Sequence, residues 1–300
     1  MVIFADQKQE GTREDMIYLN GQFMPMEEAR VPVLDRGFIF GDGVYELIPV
    51  YSRHPFRLAE HLRRLQHSLD GVRLINPLSV EEWVSRIERL VALNATPDQS
   101  LYLQVTRGVA KRDHAFPKDV PPSVFMMSTP LQTPPVDQVE NGVGAITAID
   151  NRWLRCDIKA ISLLPNVLLR QQAVDAGCAE TILLRDGWLT EGAASNVFVV
   201  GDGFVIAPPK SHLMLPGITY DVVLELARAA QIPHAVRPVS ERNLRDAQEI
   251  WLTSSTREVL AVTHLDQRTV GSGKPGPLFR RVYRLYQNYK NSVMRAGVDL

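Results

Sequence analysis

Three hundred residues, 45% hydrophobic and 22% charged, are enough for two modest domains with buried cores. A formal net charge of -1, with no basic stripe interleaved with aromatics, argues against nucleic acid or an anionic membrane as a partner. No apolar run approaches the ~20 residues that span a bilayer, and the opening residues lack a signal-peptide core. The two cysteines, Cys156 and Cys178, are too few for a disulfide framework, so a reduced, cytoplasmic setting is expected.

Residues 1–14 read as a polar extension. IYLNGQFM predicts a hairpin, because Asn20-Gly21 supplies the positive backbone angles of a type I′ turn. VYELIPVYS is rich in branched and aromatic residues and predicts a strand. In LAEHLRRLQHSLDG, Leu58, Leu62, Leu65 and Leu69 repeat at helical spacing and Gly71 is a stop. His61, Arg64 and Ser68 form the neighbouring stripe, which sets Arg64 beside the buried face. SVEEWVSRIERLVAL opens with a capping box at Ser79 and Glu82. SLYLQVTRG and SVFMMST predict strands on either side of the charged loop KRDHAFPKD.

The prolines of TPLQTPPVDQ disfavour both helix and strand. They set an expected linker at 131–136 between a smaller domain, 15–130, and a larger one, 137–300. Beyond it come the strand GVGAITAI, a helix near NVLLRQQAVDAG, and hairpins at Asp186-Gly187 and Asp202-Gly203. Amphipathic helices follow at GITYDVVLELARAA and PLFRRVYRLYQNYKNSVM. Mixed helices and strands without a repeat point to an α+β or mixed α/β architecture in two domains.

Several familiar motifs fail. GDGVYE lacks a third glycine and precedes a strand, GSGKPG has proline where a P-loop needs a hydroxyl, and HExxH, CxxC and GxSxG are absent. Two helix starts suit an anion better. Ile218 and Thr219 follow the turn Leu215-Pro216-Gly217, and Thr253, Ser254, Ser255 and Thr256 close a predicted strand; each set reads as plain caps or as a phosphate cup. Lys159, in CDIKAISLLP, alternates on a period-2 pattern with Cys156, Ile158 and Ala160 on the other face. It is either a half-solvated strand residue or a desolvated amine able to form a Schiff base. Glu191 is either a surface turn carboxylate or a buried one paired with a cationic ring. Arg112 and His114 are either loop charges or a clamp for a carboxylate.

DRGFIFGDGVYE, YLQVTRGVAKRDHAFP, RWLRCDIK, LTEGAASNVF, LPGIT and LTSST, in this order, resemble the class IV, fold-type IV pyridoxal-phosphate aminotransferases. The likeness is strongest to the D-amino acid (D-alanine) aminotransferases and runs from about Ile17 to the C-terminal helix. It implies pyridoxal 5'-phosphate as cofactor, with Lys159 as its Schiff-base lysine and proton carrier and Glu191 paired with the pyridine nitrogen. It further implies Arg64, Ile218, Thr219 and Ser255 in the phosphate cup, Ser254 beside them, and Leu215 against the ring face. Tyr45, Arg112 and His114 match the residues that trap the substrate carboxylate, the last two supplied by the partner in a homodimer. The implied reaction is a ping-pong transfer from a D-amino acid to 2-oxoglutarate or pyruvate. Aminodeoxychorismate lyase and branched-chain L-amino acid aminotransferase are alternatives on the same fold. One departure is visible: Ala193 and Ala194 stand where hydroxyl residues are expected after Glu191-Gly192.

Overall fold

The computed structural model describes residues 15–298; the segment read as a polar extension, 1–14, lies outside them. Strands β1 (Met16–Leu19) and β2 (Gln22–Pro25) form the expected hairpin. Its turn is made by Asn20 at φ 46° and Gly21 at φ 97°. A short helix, α1 (Arg36–Phe40), lies in DRGFIF where no element was expected; Asp35 caps it by accepting from the Gly37 N–H. Strands β3 (Gly43–Tyr51), β4 (His54–Pro55), β5 (Gln99–Thr106) and β6 (Ser123–Pro130) complete an antiparallel sheet in the order β2-β1-β6-β5-β3-β4.

Helices α2 (Leu58–Gly71) and α3 (Val80–Leu93) cover one face of that sheet. Leu62, Leu65 and Leu69 of α2 and Trp83, Ile87 and Leu90 of α3 join Val44, Ile48, Leu101 and Leu103 in one apolar core. The capping box at the start of α3 is present in both directions, with Ser79 N donating to Glu82 and Glu82 N to the Ser79 hydroxyl. His61, Arg64 and Ser68 are themselves buried, so the stripe beside the leucines also faces inward.

The proline-rich stretch is shorter than expected. Strand β6 runs on to Pro130, at a strand end where a missing donor costs little, and helix α4 (Val136–Asn141) begins directly after Pro135. The second sheet has nine strands: β7 (Val143–Ile149), β8 (Glu180–Arg185), β9 (Trp188–Gly192), β10 (Asn196–Gly201), β11 (Phe204–Ala207), β12 (His234–Val236), β13 (Glu249–Ser254), β14 (Glu258–Leu265) and β15 (Arg268–Thr269). Their order is β12-β11-β10-β13-β14-β7-β8-β9, with β15 on β14 and parallel pairs at β11–β12, β14–β7 and β7–β8. Mixed pairing fits the α+β architecture.

Both faces of this sheet are covered, which explains the unbroken apolar run NVFVV in β10. Phe198 and Trp251 meet Tyr220 of α6 (Ile218–Ala229) and Phe279 and Tyr286 of α8 (Pro277–Tyr289). On the opposite face Val197, Val199, Ile250 and Leu252 pack with Leu244 of α7 (Glu241–Arg245). Helix α5 (Leu164–Asp175) lies by β8, with Leu169 against Leu183 and Ala193.

The two halves interlock. Tyr51 and Phe56 from the first half pack into the second core, while Ile158 and Ala160 from the second half pack into the first. Lys159 therefore sits where the two cores meet. Its segment is not the strand that its alternating burial suggested. It is a turn with a single antiparallel bridge, Val44–Ala160, held by Lys159 N donating to the Ser68 hydroxyl and Tyr45 N donating to the Lys159 carbonyl. Tertiary bonds, rather than a ladder, fix it.

Candidate active site

A cavity of about 990 Å³ opens between the two sheets. Its walls include Lys159, Glu191, Arg64, Tyr45 and Leu215, together with Ile218, Thr219, Ser254 and Ser255. Nine sequence-singled residues thus share one space. Arg112 and His114 do not line it; both are exposed on the loop after β5, the Arg112 guanidinium and the tilted His114 ring each 5.3 Å from the Phe40 ring.

Strand parity places the first wall. Along β3, Tyr45 and Leu47 point into the cavity, while Val44 and Ile48 point into the core under α2. The Lys159 amine lies 4.1 Å from the centroid of the Tyr45 ring. Glu46, on the core side, is fully buried and meets α2 at two residues: Arg64 Nε and Nη2 donate to its carboxylate at 2.8 and 2.7 Å, and His61 Nδ1 lies 2.7 Å away. Burial pushes the Glu46 carboxyl up, but the Arg64 guanidinium and His61 outweigh it and hold the group below the usual carboxylate range. Burial likewise works against the Arg64 charge, and Glu46 reverses the sign. Arg64 also donates to the Pro216 carbonyl at 3.0 Å, which ties α2 to the turn before α6. It is a preorganised cation.

The second wall is built on Glu191 at the end of β9, which is 5% exposed. Arg152 Nη1 donates to Oε1 at 2.6 Å, and Oε2 accepts from Leu215 N at 3.0 Å and from Asn196 Nδ2 at 3.3 Å. Arg152 is gripped in turn by Asp150 through Nε at 2.9 Å and Nη2 at 3.0 Å, and Thr190 donates to the same aspartate. Burial dominates the titration of Glu191 and pushes it up to about 7, against the opposing pull of Arg152 and the Leu215 amide. A carboxylate held that way is poised to pair with a cation placed in the cavity.

The third wall is an anion cup. Helix α6 starts at Gly217 with no side-chain cap, so its first N–H groups are free to point at a ligand. Asn196 Nδ2 also donates to the Leu215 carbonyl, packing β10 against this turn so closely that Gly217 has no space for a Cβ. Thr253, Ser254, Ser255 and Thr256 face it from the end of β13. The Ser254 hydroxyl accepts from Arg257 N, whereas Thr253 Oγ1 is buried without a partner among the described residues.

Glu46, Asp150, Arg152 and Asn196 were not singled out in the sequence as parts of this site, whereas Thr253 was, in the run Thr253–Thr256. Glu46 had a signal: it lies beside Tyr45 in GDGVYE on the strand face that carries Val44 and Ile48. The partners of Glu191 come from other strands and left no local trace. Among the described residues no group of histidines, cysteines and carboxylates is arranged to hold a metal, and no helix is long and apolar enough to cross a membrane.

Known proteins similar to this chain identify its family. Residues 43–265 match the family model described as amino-transferase class IV. The chain is 43% identical over 272 residues to a D-alanine aminotransferase of Bacillus licheniformis, covering 91% of this chain and 96% of that protein. It is 38% identical over 278 residues to the D-alanine aminotransferase of Staphylococcus aureus strain MW2, covering 93% and 99%. Among solved structures, the branched-chain amino acid aminotransferase of Escherichia coli superposes with a TM-score of 0.86 at 26% identity, covering 95% of this chain and 96% of that one. The T.th. branched-chain amino acid aminotransferase solved with pyridoxamine 5'-phosphate superposes at 0.87 and 27% identity, covering 96% of each. Bounded by a lysine at the meeting of two cores, a buried carboxylate and an anion cup, and matched over most of its length, the chain belongs to the class IV aminotransferases.

Proposed function

We propose that this chain is a pyridoxal-phosphate-dependent aminotransferase that moves the amino group of a D-amino acid, D-alanine among them, to a 2-oxo acid such as 2-oxoglutarate or pyruvate. The observation that carries the reading is one cavity holding Lys159, the buried Glu191 and the cup at the start of α6. The class IV family and the D-alanine aminotransferases similar to this chain supply the chemistry.

The residues present fit the cofactor. A phosphate suits the free N–H groups at Ile218 and Thr219, the hydroxyls of Ser254 and Ser255, the unpartnered Thr253 Oγ1 and the fixed charge of Arg64. Leu215 offers an apolar contact for the ring face, and Glu191 a carboxylate for its nitrogen. Electron withdrawal from the substrate Cα is what pyridoxal phosphate supplies when bound.

The chain's own groups do the rest. Glu191 holds the proton at the pyridine nitrogen; with a cation beside it the carboxylate stays ionised at neutral pH. Lys159 would tether the cofactor through its amine, and the same amine, when free, would take the proton from the substrate Cα. Tyr45, next to the lysine amine, binds the substrate carboxylate and so fixes which face of Cα meets Lys159. Arg112 and His114, exposed and outside their own cavity, act in the site of the partner in a homodimer. Leu164, Val167, Leu168 and Val174 are exposed along α5, and an apolar patch of this kind suits a partner surface. Because the same residues serve both half-reactions, donor and acceptor react in turn. The division at 131–136 between domains 15–130 and 137–300 belongs to the same reading, as does a cytoplasmic setting for the free thiols of Cys156 and Cys178.

A coupled assay tests the function. Holoprotein given D-alanine and 2-oxoglutarate should form pyruvate and glutamate, and should form far less product from L-leucine or L-valine. Preference for the L-substrates would favour the branched-chain reading, and pyruvate release from aminodeoxychorismate without an acceptor would favour the lyase.

A further inference from the structure

The two halves of the anion cup come from segments far apart in the chain. One is the first turn of α6, with Ile218 and Thr219; the other is the turn 255–257 that joins β13 to β14. Strand β14 opens on Glu258, whose backbone is left-handed at φ 55° and whose cross-strand partner is Ser254. Glycine adopts that conformation freely and glutamate does not, so a glutamate there is held in place by its contacts. Glu258 is 2% exposed, and its carboxylate accepts from Lys290 Nζ at 2.7 Å, from Gln287 Nε2 at 2.6 Å and, more distantly, from the Tyr51 hydroxyl at 3.5 Å. Gln287 lies in α8, and Lys290 opens the helical turn Lys290–Met294 that continues it. Neither lines the cavity. From the same helix, buried Tyr286 sets its phenol beside the Tyr51 phenol and the Thr219 side chain. The preceding residue, Arg257, is fixed to β8, where Nη1 donates to Glu180 at 2.6 Å, and Nη2 donates to the Ala179 carbonyl at 3.0 Å.

We propose that Glu258 is a positioning residue of the anion cup: gripped by Gln287 and Lys290, it holds the turn 255–257 at the spacing from Thr219 that a phosphate monoester needs. This deepens the aminotransferase reading and rests on it. Groups on the cup bind the phosphate, but the C-terminal helix outside the cavity sets how well they converge. Hydroxyls from one segment and backbone N–H groups from the other must meet on one anion, and hydrogen bonds weaken steeply away from their normal length and angle. Lys290 has a second effect. It balances the buried Glu258 charge, which would otherwise stand behind the cup and repel a dianion.

Full-length apoprotein titrated with pyridoxal phosphate and with unphosphorylated pyridoxal tests it. Wild type should bind the phosphorylated form much the more tightly. Glu258→Gly, which frees the backbone and deletes the grip, should narrow that preference by about tenfold or more, the worth of one charge-assisted hydrogen bond. Glu258→Gln should lie between, because it keeps the shape and loses the charge. Lys290→Met leaves every cup residue in place, should shift the preference the same way, and decides the matter if the glycine variant fails to fold. Inorganic phosphate should follow pyridoxal phosphate in each protein. An unchanged preference in folded Glu258→Gly or Lys290→Met protein overturns the inference. So does weaker binding of both pyridoxal forms by the same factor, because that is lost stability rather than lost cup geometry. Glu258-dependent binding of inorganic phosphate in a protein with no affinity for pyridoxal phosphate would uphold the positioning role and instead sink the cofactor reading.

Discussion

Gly217 offers a sharp test of how the cup and Glu191 are joined. Its backbone, at φ -73° and ψ 137°, is open to any residue, so alanine there brings no backbone strain. The obstacle is steric. A Cβ at Gly217 would stand 2.0 Å from Asn196 Oδ1, which must retreat by about 1 Å to reach the 3.0 Å below which such contacts do not occur. That amide donates to both the Leu215 carbonyl at 3.0 Å and Glu191 at 3.3 Å, so its displacement weakens two bonds and disturbs the turn that feeds α6. Overpacking with the loss of one or two hydrogen bonds amounts to ~2–3 kcal/mol, or a fall of about 4–6 °C in Tm for a chain of this size. Gly217→Ala should therefore melt lower, and should bind pyridoxal phosphate on the order of tenfold more weakly, because the first turn of the cup has moved. Thermal unfolding of apoprotein and equilibrium titration with the cofactor read the two effects. Adding Asn196→Ala removes the clashing atom, so the double variant should lose less than the sum of the single losses. A Gly217→Ala protein that melts within about 1 °C of wild type and binds cofactor normally would refute the reasoning.

Lys159→Ala should lower turnover by more than about 10³-fold in steady-state assays, because the proposed function makes this amine both tether and proton carrier. Near-normal activity would exclude the role given to Lys159. Glu191 is raised by burial to about 7, above its unfolded value, so in the apoprotein it destabilises the fold as pH rises from the ordinary carboxylate range through 7. Glu191→Gln should abolish that dependence, and urea unfolding at pH 5 and pH 8 should show wild type losing about 3 kcal/mol relative to the variant across the interval. Glu46→Gln leaves the buried Arg64 charge without its counterion and should cost about 3–5 kcal/mol in urea unfolding, with weaker binding of inorganic phosphate to the apoprotein. Arg112→Ala should chiefly raise the KM for amino acid and oxo acid, and an unchanged KM would remove it from the carboxylate clamp.

What was legible in the sequence was local. The Asn20-Gly21 turn, the Ser79–Glu82 box and the leucine stripe of α2 each depend on residues a few positions apart, and each appears as read. Lys159 shows where that logic fails. Burial alternates through Cys156, Ile158 and Ala160 as it would in a strand, yet the cause is docking between two cores rather than a ladder. The ion pairs beneath the site were beyond sequence reading because their partners lie far apart in the chain. Arg64 meets Glu46 across 18 residues and Arg152 meets Glu191 across 39, and only the folded sheet parity brings each pair together. Arg112 and His114 were noticed by residue type but given a role only through resemblance, and their exposed loop explains why spacing alone left that role open.

The most direct test of the central claim is the visible absorption of the holoprotein mixed separately with D-alanine and with L-alanine. D-alanine alone should bleach the cofactor band, and 2-oxoglutarate should restore it. A band unchanged by D-alanine, or bleached by L-alanine in its place, would contradict the claim.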